Sequence, residues 1–265
     1  MVDFKGIFNN KKAVIGMIHL PPLPGTPEGR NQTFRSLTDF ALSELEALEK
    51  GGANGAIVEN FWDYPYLPNR VSPLTLSVMA AVAGVVTEKA SIPIGVNILY
   101  NDFKSEIALA RSVGAAFIRA EVFVDTAYCE SGIINPSCAE IIRERALIGA
   151  DDTAILADVH GKNTAPMWNR SLIESALDAQ DRGRADAIII TGAGTGKSAS
   201  LDDVKEVREK IKIPMLVGSG VNPKTVKQLF EFCDGAIIGS FFKKDGKINN
   251  PTDSERVREL VEVLK

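Results

Sequence analysis

Six side chains able to do acid–base or electrophilic chemistry follow short apolar runs in this 265-residue chain: Glu59, Arg119, Glu121, Asp158, His160 and Lys162. Arg119 and Glu121 stand two apart, as do Asp158 and His160. In an extended strand that spacing puts each pair on one face. Asp158 or Glu121 would serve as acid or base, with Arg119 holding an anionic group. His160 beside Asp158 fits a general base, a metal ligand or a substrate hydrogen-bonder. Lys162 would form a Schiff base if desolvated. Its place two residues beyond His160 favours instead a loop lysine that attracts an anionic substrate. A purely structural network of Arg119, Glu121 and Asp158 competes with all of these roles.

A second set of residues has little side chain at all. The segment Val217-Gly218-Ser219-Gly220-Val221-Asn222 and the pair Gly239-Ser240 end two apolar runs. Glycine permits close backbone approach, and amides at a strand end can hold a phosphate. Gly192, Gly194 and Gly196, with Lys197, form another glycine-rich stretch. It is not a P-loop, because Thr191 stands where the first glycine is required. It could still wrap a substrate through its amides. His19 and Asn97, at the ends of two further runs, join the expected substrate-binding set.

The elements that must position these residues repeat eight times as strand, loop and amphipathic helix. The strand-like runs are Ala13–His19, Ala56–Asn60, Ile92–Leu99, Ala116–Phe123, Ala154–His160, Ala187–Thr191, Pro214–Gly218 and Gly235–Ser240. Their near-continuous hydrophobicity is that of strands covered on both sides, hence a parallel sheet. Helical patterns lie between, including Thr33–Lys50, Leu74–Lys89 and Pro223–Phe232, the last with Asn222 as its expected N-cap and Pro223 at its first position. Helix-to-strand joins are short and strand-to-helix loops are longer and carry the polar residues. That asymmetry predicts an α/β chain forming one (β/α)8 TIM barrel over residues 1–265, with its site in the loops after the strands.

Composition closes off several function classes. The formal net charge is −4 and no basic block occurs, so nucleic acid is not an expected partner. Cys129, Cys138 and Cys233 show no paired spacing, which fits a reducing, cytoplasmic location without disulfides. The first residues lack an apolar signal core, and no apolar run reaches transmembrane length. No zinc signature is present. Glu59, Glu121 and Asp158, with His160, would suit a hard ion such as Mg2+, and a metal-dependent hydrolase stays an alternative. Phe61, Trp62, Tyr64 and Tyr66 could mediate a homo-oligomer or form a lid.

The stretches AVIGMIHLPPLPG, GANGAIVENFWDYP, IPIGVNIL, FIRAEVFVD, ADVHGKN and VGSGVNP with DGAIIGSFFK, in that order, resemble the BtpA/SgcQ family along nearly the whole chain. The resemblance implies a barrel of the ribulose-phosphate-binding type. It brings two unlike roles, photosystem I biogenesis in cyanobacteria and a cytosolic protein beside sugar-uptake genes in other bacteria. The residues themselves favour a phosphosugar- or nucleotide-sugar-type enzyme, a lyase, isomerase or glycosyl-bond hydrolase acting on a small phosphorylated, sugar-like substrate. A non-catalytic assembly factor built on the same barrel is the alternative.

Overall fold

A computed structural model describes residues 1–192 and 199–265 of the chain. Its elements in chain order are α1 (Phe4–Ile7), β1 (Ala13–His19), α2 (Phe34–Gly51), β2 (Gly55–Glu59), α3 (Pro73–Lys89), β3 (Ile94–Asn97), α4 (Phe103–Val113), β4 (Phe117–Ala120), β5 (Ala127–Cys129), β6 (Gly132–Ile134), α5 (Cys138–Leu147), β7 (Ala154–Val159), β8 (Ala165–Pro166), α6 (Leu172–Asp181), β9 (Ala187–Thr191), α7 (Leu201–Lys210), β10 (Met215–Gly218), α8 (Val226–Phe230), β11 (Gly235–Ile238) and α9 (Ser254–Val263). Eight parallel strands close in the order β1-β11-β10-β9-β7-β4-β3-β2. The expected (β/α)8 barrel is therefore the fold.

The strand runs are buried on both faces, and the two faces have different partners. Val14, Ile18, Ala56, Val58, Ile118, Ile155, Ile188 and Val217 point outward and pack under the helices. Ile15, Met17, Ile57, Phe117, Leu156, Ile189, Leu216 and Ile237 fill the barrel interior. Near-continuous hydrophobicity follows from this double cover. Helix starts are set locally. Thr33 and Ser36 form a capping box at α2, and Ser171 with Glu174 does the same at α6.

Three features depart from the sequence reading. Polarity in MVDFKGIFNNKK gives little sign of an element, yet α1 buries Phe4, and Phe8 just beyond it is buried too. Phe8 lies 5.9 Å from the Phe117 ring, so this segment packs against the N-terminal end of the barrel core. A small sheet, β6-β5-β8, is made by the loops after β4 and β7. The helix expected over Pro223–Phe232 shrinks to the five residues of α8, capped at Thr225. Asn222 instead folds its side chain onto Lys224 N–H, an Asx turn that competes with a helical start.

Candidate active site

Period-two alternation sets the last inward layer of the barrel. In strand register, His19 is paired with Glu59 and Glu59 with Asn97. Arg119 and Asp158 point inward from β4 and β7, Thr191 and Gly218 are register partners, and Gly239 follows β11. One side of this ring, His19 to Asp158, is thus polar and charged, and the other has Thr191 and two glycines.

The charged half is tightly bonded. Arg119 donates from Nε and Nη2 to the two carboxylate oxygens of Asp158, at 3.1 and 2.8 Å. Glu59 lies 3.7 Å from its Nη1, and Glu121 lies 3.8 Å from the Nη2 that also serves Asp158. Asn97 Nδ2 donates to Glu59 at 2.7 Å and to Glu121 at 3.4 Å. All five are buried. Burial is the largest influence on Glu121 and pushes its carboxyl up to about 7; Arg119 opposes that rise, while Glu59 and Asp158 add to it.

These contacts bear on whether Glu59, Glu121 and Asp158 suit a metal ion. A guanidinium stands among Glu59, Glu121 and Asp158, where a cation bound by all three would have to sit. No group of three or more His, Cys, Asp or Glu among the described residues could hold a metal ion. The three carboxylates do not fit a Mg2+ site; they surround Arg119 instead.

On the glycine half a cavity of about 270 Å³ opens. Gly218, Ser219, Gly220, Gly239 and Ser240 line it, facing His19, Phe61, Arg119 and Lys162. The two glycine-rich strand ends thus lie beside part of the charged set. Ser219 and Gly220 both take left-handed backbone conformations, with φ of 64° and 65°. A Cβ at Gly239 would meet His19 Cε1 at 3.2 Å, so the bare glycine keeps the cavity open beside the imidazole.

His19 is the side chain that the cavity leaves least satisfied. It is buried, stacked on Phe61 with ring centroids 4.2 Å apart, and 3.7 Å from Glu59 Oε1. Neither of its ring nitrogens has a hydrogen-bond partner among the described residues, nor has Glu59 Oε1. Burial, then the charges of Lys243, Lys162 and Arg119, push His19 well below the usual histidine range, so its ring is neutral. A buried imidazole without partners, beside a cavity, is a group awaiting one. Lys162 supplies a cation over the Phe61 ring, 5.6 Å from its centre.

Other expected site residues lie elsewhere. His160 takes φ 53°, which ends the alternation of β7 and turns its side chain away from Asp158. Its Nε2 pairs with Ser175 Oγ at 3.1 Å and lies 3.9 Å from Asp125, outside the Arg119 cluster. Glu121 and Asp158 do not line the 270 Å³ cavity; they stand behind Arg119. Gly192 is buried and does not line the cavity either. Gly194, Gly196 and Lys197 lie outside the described residues. Of the four aromatics after β2, Phe61 is a wall of the cavity and Tyr66 props it by donating to the Phe61 carbonyl at 2.5 Å. Arg256, which no motif marks, also lines the cavity.

Fold and mouth together define a (β/α)8 barrel with a cationic, glycine-walled cavity at the C-terminal ends of its strands. The BtpA family model matches residues 10–265, and the chain belongs to that family. An uncharacterised protein of Pyrococcus furiosus is 40% identical over 95% of this chain and 94% of its own length. The photosystem I biogenesis protein BtpA of Synechocystis sp. is 35% identical, over 99% of this chain and 91% of its own. Among solved structures, (S)-3-O-geranylgeranylglyceryl phosphate synthase of Thermoplasma acidophilum, in complex with sn-glycerol-1-phosphate, superposes with a TM-score of 0.62. That match covers 100% of this chain and 99% of the other at 17% identity, a likeness of fold. No helix among the described residues is long and apolar enough to cross a membrane.

Proposed function

We propose that the protein is an enzyme acting on a small phosphorylated, sugar-like substrate, in the lyase, isomerase or glycosyl-hydrolase class. The observation that carries this is the unpartnered, neutral His19 facing the glycine corner across one cavity. The phosphate would rest on the corner formed by Gly218–Gly220 and Gly239–Ser240. His19, with Glu59 behind it, would exchange a proton with a substrate oxygen, and Arg119 would hold negative charge developing there. Lys162 would attract the anionic substrate. Asp158, Asn97 and Glu121 would fix the plane of the Arg119 guanidinium. The neighbour that binds sn-glycerol-1-phosphate on the same fold is compatible with this class of ligand.

The test is thermal shift of the wild type and Gly220→Asp with inorganic phosphate, glycerol 1-phosphate and ribose 5-phosphate. Stabilisation of the wild type alone supports the phosphate corner; equal response, or none, rejects it. The name of the Synechocystis relative favours a second reading, a non-catalytic assembly factor. Complementation of a strain lacking its own copy, using His19→Asn, separates the two. Rescue by that variant would favour assembly, and failure of rescue by a folded variant would favour chemistry.

A further inference from the structure

The last helix brings one more cation to the cavity. Arg256, in the first turn of α9, donates from Nε to the Phe241 carbonyl at 2.7 Å. Its guanidinium carbon lies 4.4 Å from the centre of the Phe241 ring. Phe241 directly follows Ser240, so the residue that closes the glycine corner also holds the guanidinium by both backbone and ring. No carboxylate among the described residues lies within ion-pair distance of Arg256, whereas Arg119, Arg145, Arg170 and Arg208 each have at least one. Gly246 faces it with a left-handed backbone, and a Cβ there would come within 3.4 Å of Nη2. The result is a planar cation fixed through Nε, with terminal Nη groups that make no hydrogen bond among the described residues and with the cavity beside it.

We infer that Arg256 is a phosphate-binding residue that selects ligands ending in a phosphate monoester. This rests on the proposed phosphate corner and deepens it. A terminal monoester carries close to two charges at neutral pH and three free oxygens. Two Nη donors on a fixed plane match two of those oxygens in a paired, charge-assisted contact. A diester presents two free oxygens and one charge, and so gains less. Lysine cannot replace this arrangement, because a point charge neither stacks on Phe241 nor presents two parallel donors.

The experiment is calorimetric titration of wild type, Arg256→Lys, Arg256→Met and Phe241→Leu with glycerol 1-phosphate and with dimethyl phosphate. The expected result is a wild-type preference for the monoester that falls by roughly tenfold or more in Arg256→Met, about 1.4 kcal/mol per factor of ten. Arg256→Lys should fail to restore it, and Phe241→Leu should lose part of it with Arg256 intact. If Arg256→Met does not fold, Arg256→Lys and Phe241→Leu carry the same comparison. An unchanged monoester preference in the variants overturns the role of Arg256 while leaving the phosphate corner standing. A wild type that binds neither probe rejects the corner and, with it, the clamp.

Discussion

Arg119 and Asp158, on neighbouring strands β4 and β7, meet through two parallel hydrogen bonds of 3.1 and 2.8 Å in the last inward layer of the barrel. Glu59 and Glu121 sit further from the same guanidinium, so three buried carboxylates depend on one cation. Removing one partner of such a pair leaves charge buried without compensation, which costs about 3–5 kcal/mol. Arg119→Met should therefore destabilise the protein more than Asp158→Asn, which leaves Glu59 and Glu121 to face the cation. Urea unfolding at pH 8 and pH 5 checks this. The gap between the variants should narrow at pH 5, where Glu121, pushed up to about 7, is protonated and one stranded charge is gone; a gap that widens there would contradict the network.

Glu121 offers a sign that can be worked out in advance. Its folded value is about 7 against an ordinary 4.5, so the folded protein holds this proton more tightly than the unfolded chain does. The stability from that proton is fully present below pH 4.5 and is lost as pH rises through 7. His19 works oppositely: its lowered folded value makes stability fall as pH drops below 6.5. Glu121→Gln mimics the protonated carboxyl and isolates the first effect. The variant should gain stability relative to wild type between pH 5 and pH 8. Denaturation curves across that range measure it, and a constant difference would place the Glu121 value near 4.5.

The barrel was legible because its strands are buried on two faces and its polar residues gather at one end of each. Period two set Arg119 and Asp158 on inward faces, and the register adds His19, Glu59 and Asn97, which the sequence marks only as strand ends. It failed at His160, two residues after Asp158, because a left-handed backbone there is a local choice that alternation does not encode. The N-cap reading failed at Asn222, whose side chain serves an N-cap and an Asx turn equally well. Arg256 could not be found this way at all. Its place in the cavity depends on Phe241 and Gly246, brought together by the path of the chain after β11. The Mg2+ reading of Glu59, Glu121 and Asp158 does not fit for a different reason: these acids, from the ends of β2, β4 and β7, converge on Arg119, as the competing structural network has it.

The N-terminal segment makes a separate prediction about stability alone. Phe8 packs against Phe4 at 5.0 Å and Phe117 at 5.9 Å, at the end of the barrel core remote from His19 and Gly239. Phe8→Ala should cost about 3–5 kcal/mol, the usual range for a buried phenylalanine. The affinity for glycerol 1-phosphate, measured well below the unfolding transition, should stay within about twofold, less than 0.5 kcal/mol. A large change in affinity would mean that the two ends of the barrel are mechanically coupled.

Gly239 separates the shape of the cavity from the stability of the fold. Its φ of −101° lies outside the left-handed region that favours glycine, so Gly239→Ala mainly adds a methyl group. The new methyl would stand 3.2 Å from His19 Cε1, and the imidazole cannot easily recede because Phe61 is stacked against it at 4.2 Å. The methyl must therefore occupy the cavity or tilt the histidine. Either change leaves the strand registers intact, so thermal stability should shift by no more than about 1 kcal/mol. Affinity for glycerol 1-phosphate should fall by about tenfold, and His19→Asn in the same background should add less than it does in the wild type. Additive losses would show that Gly239 and His19 act on the ligand independently, contrary to their contact across the corner.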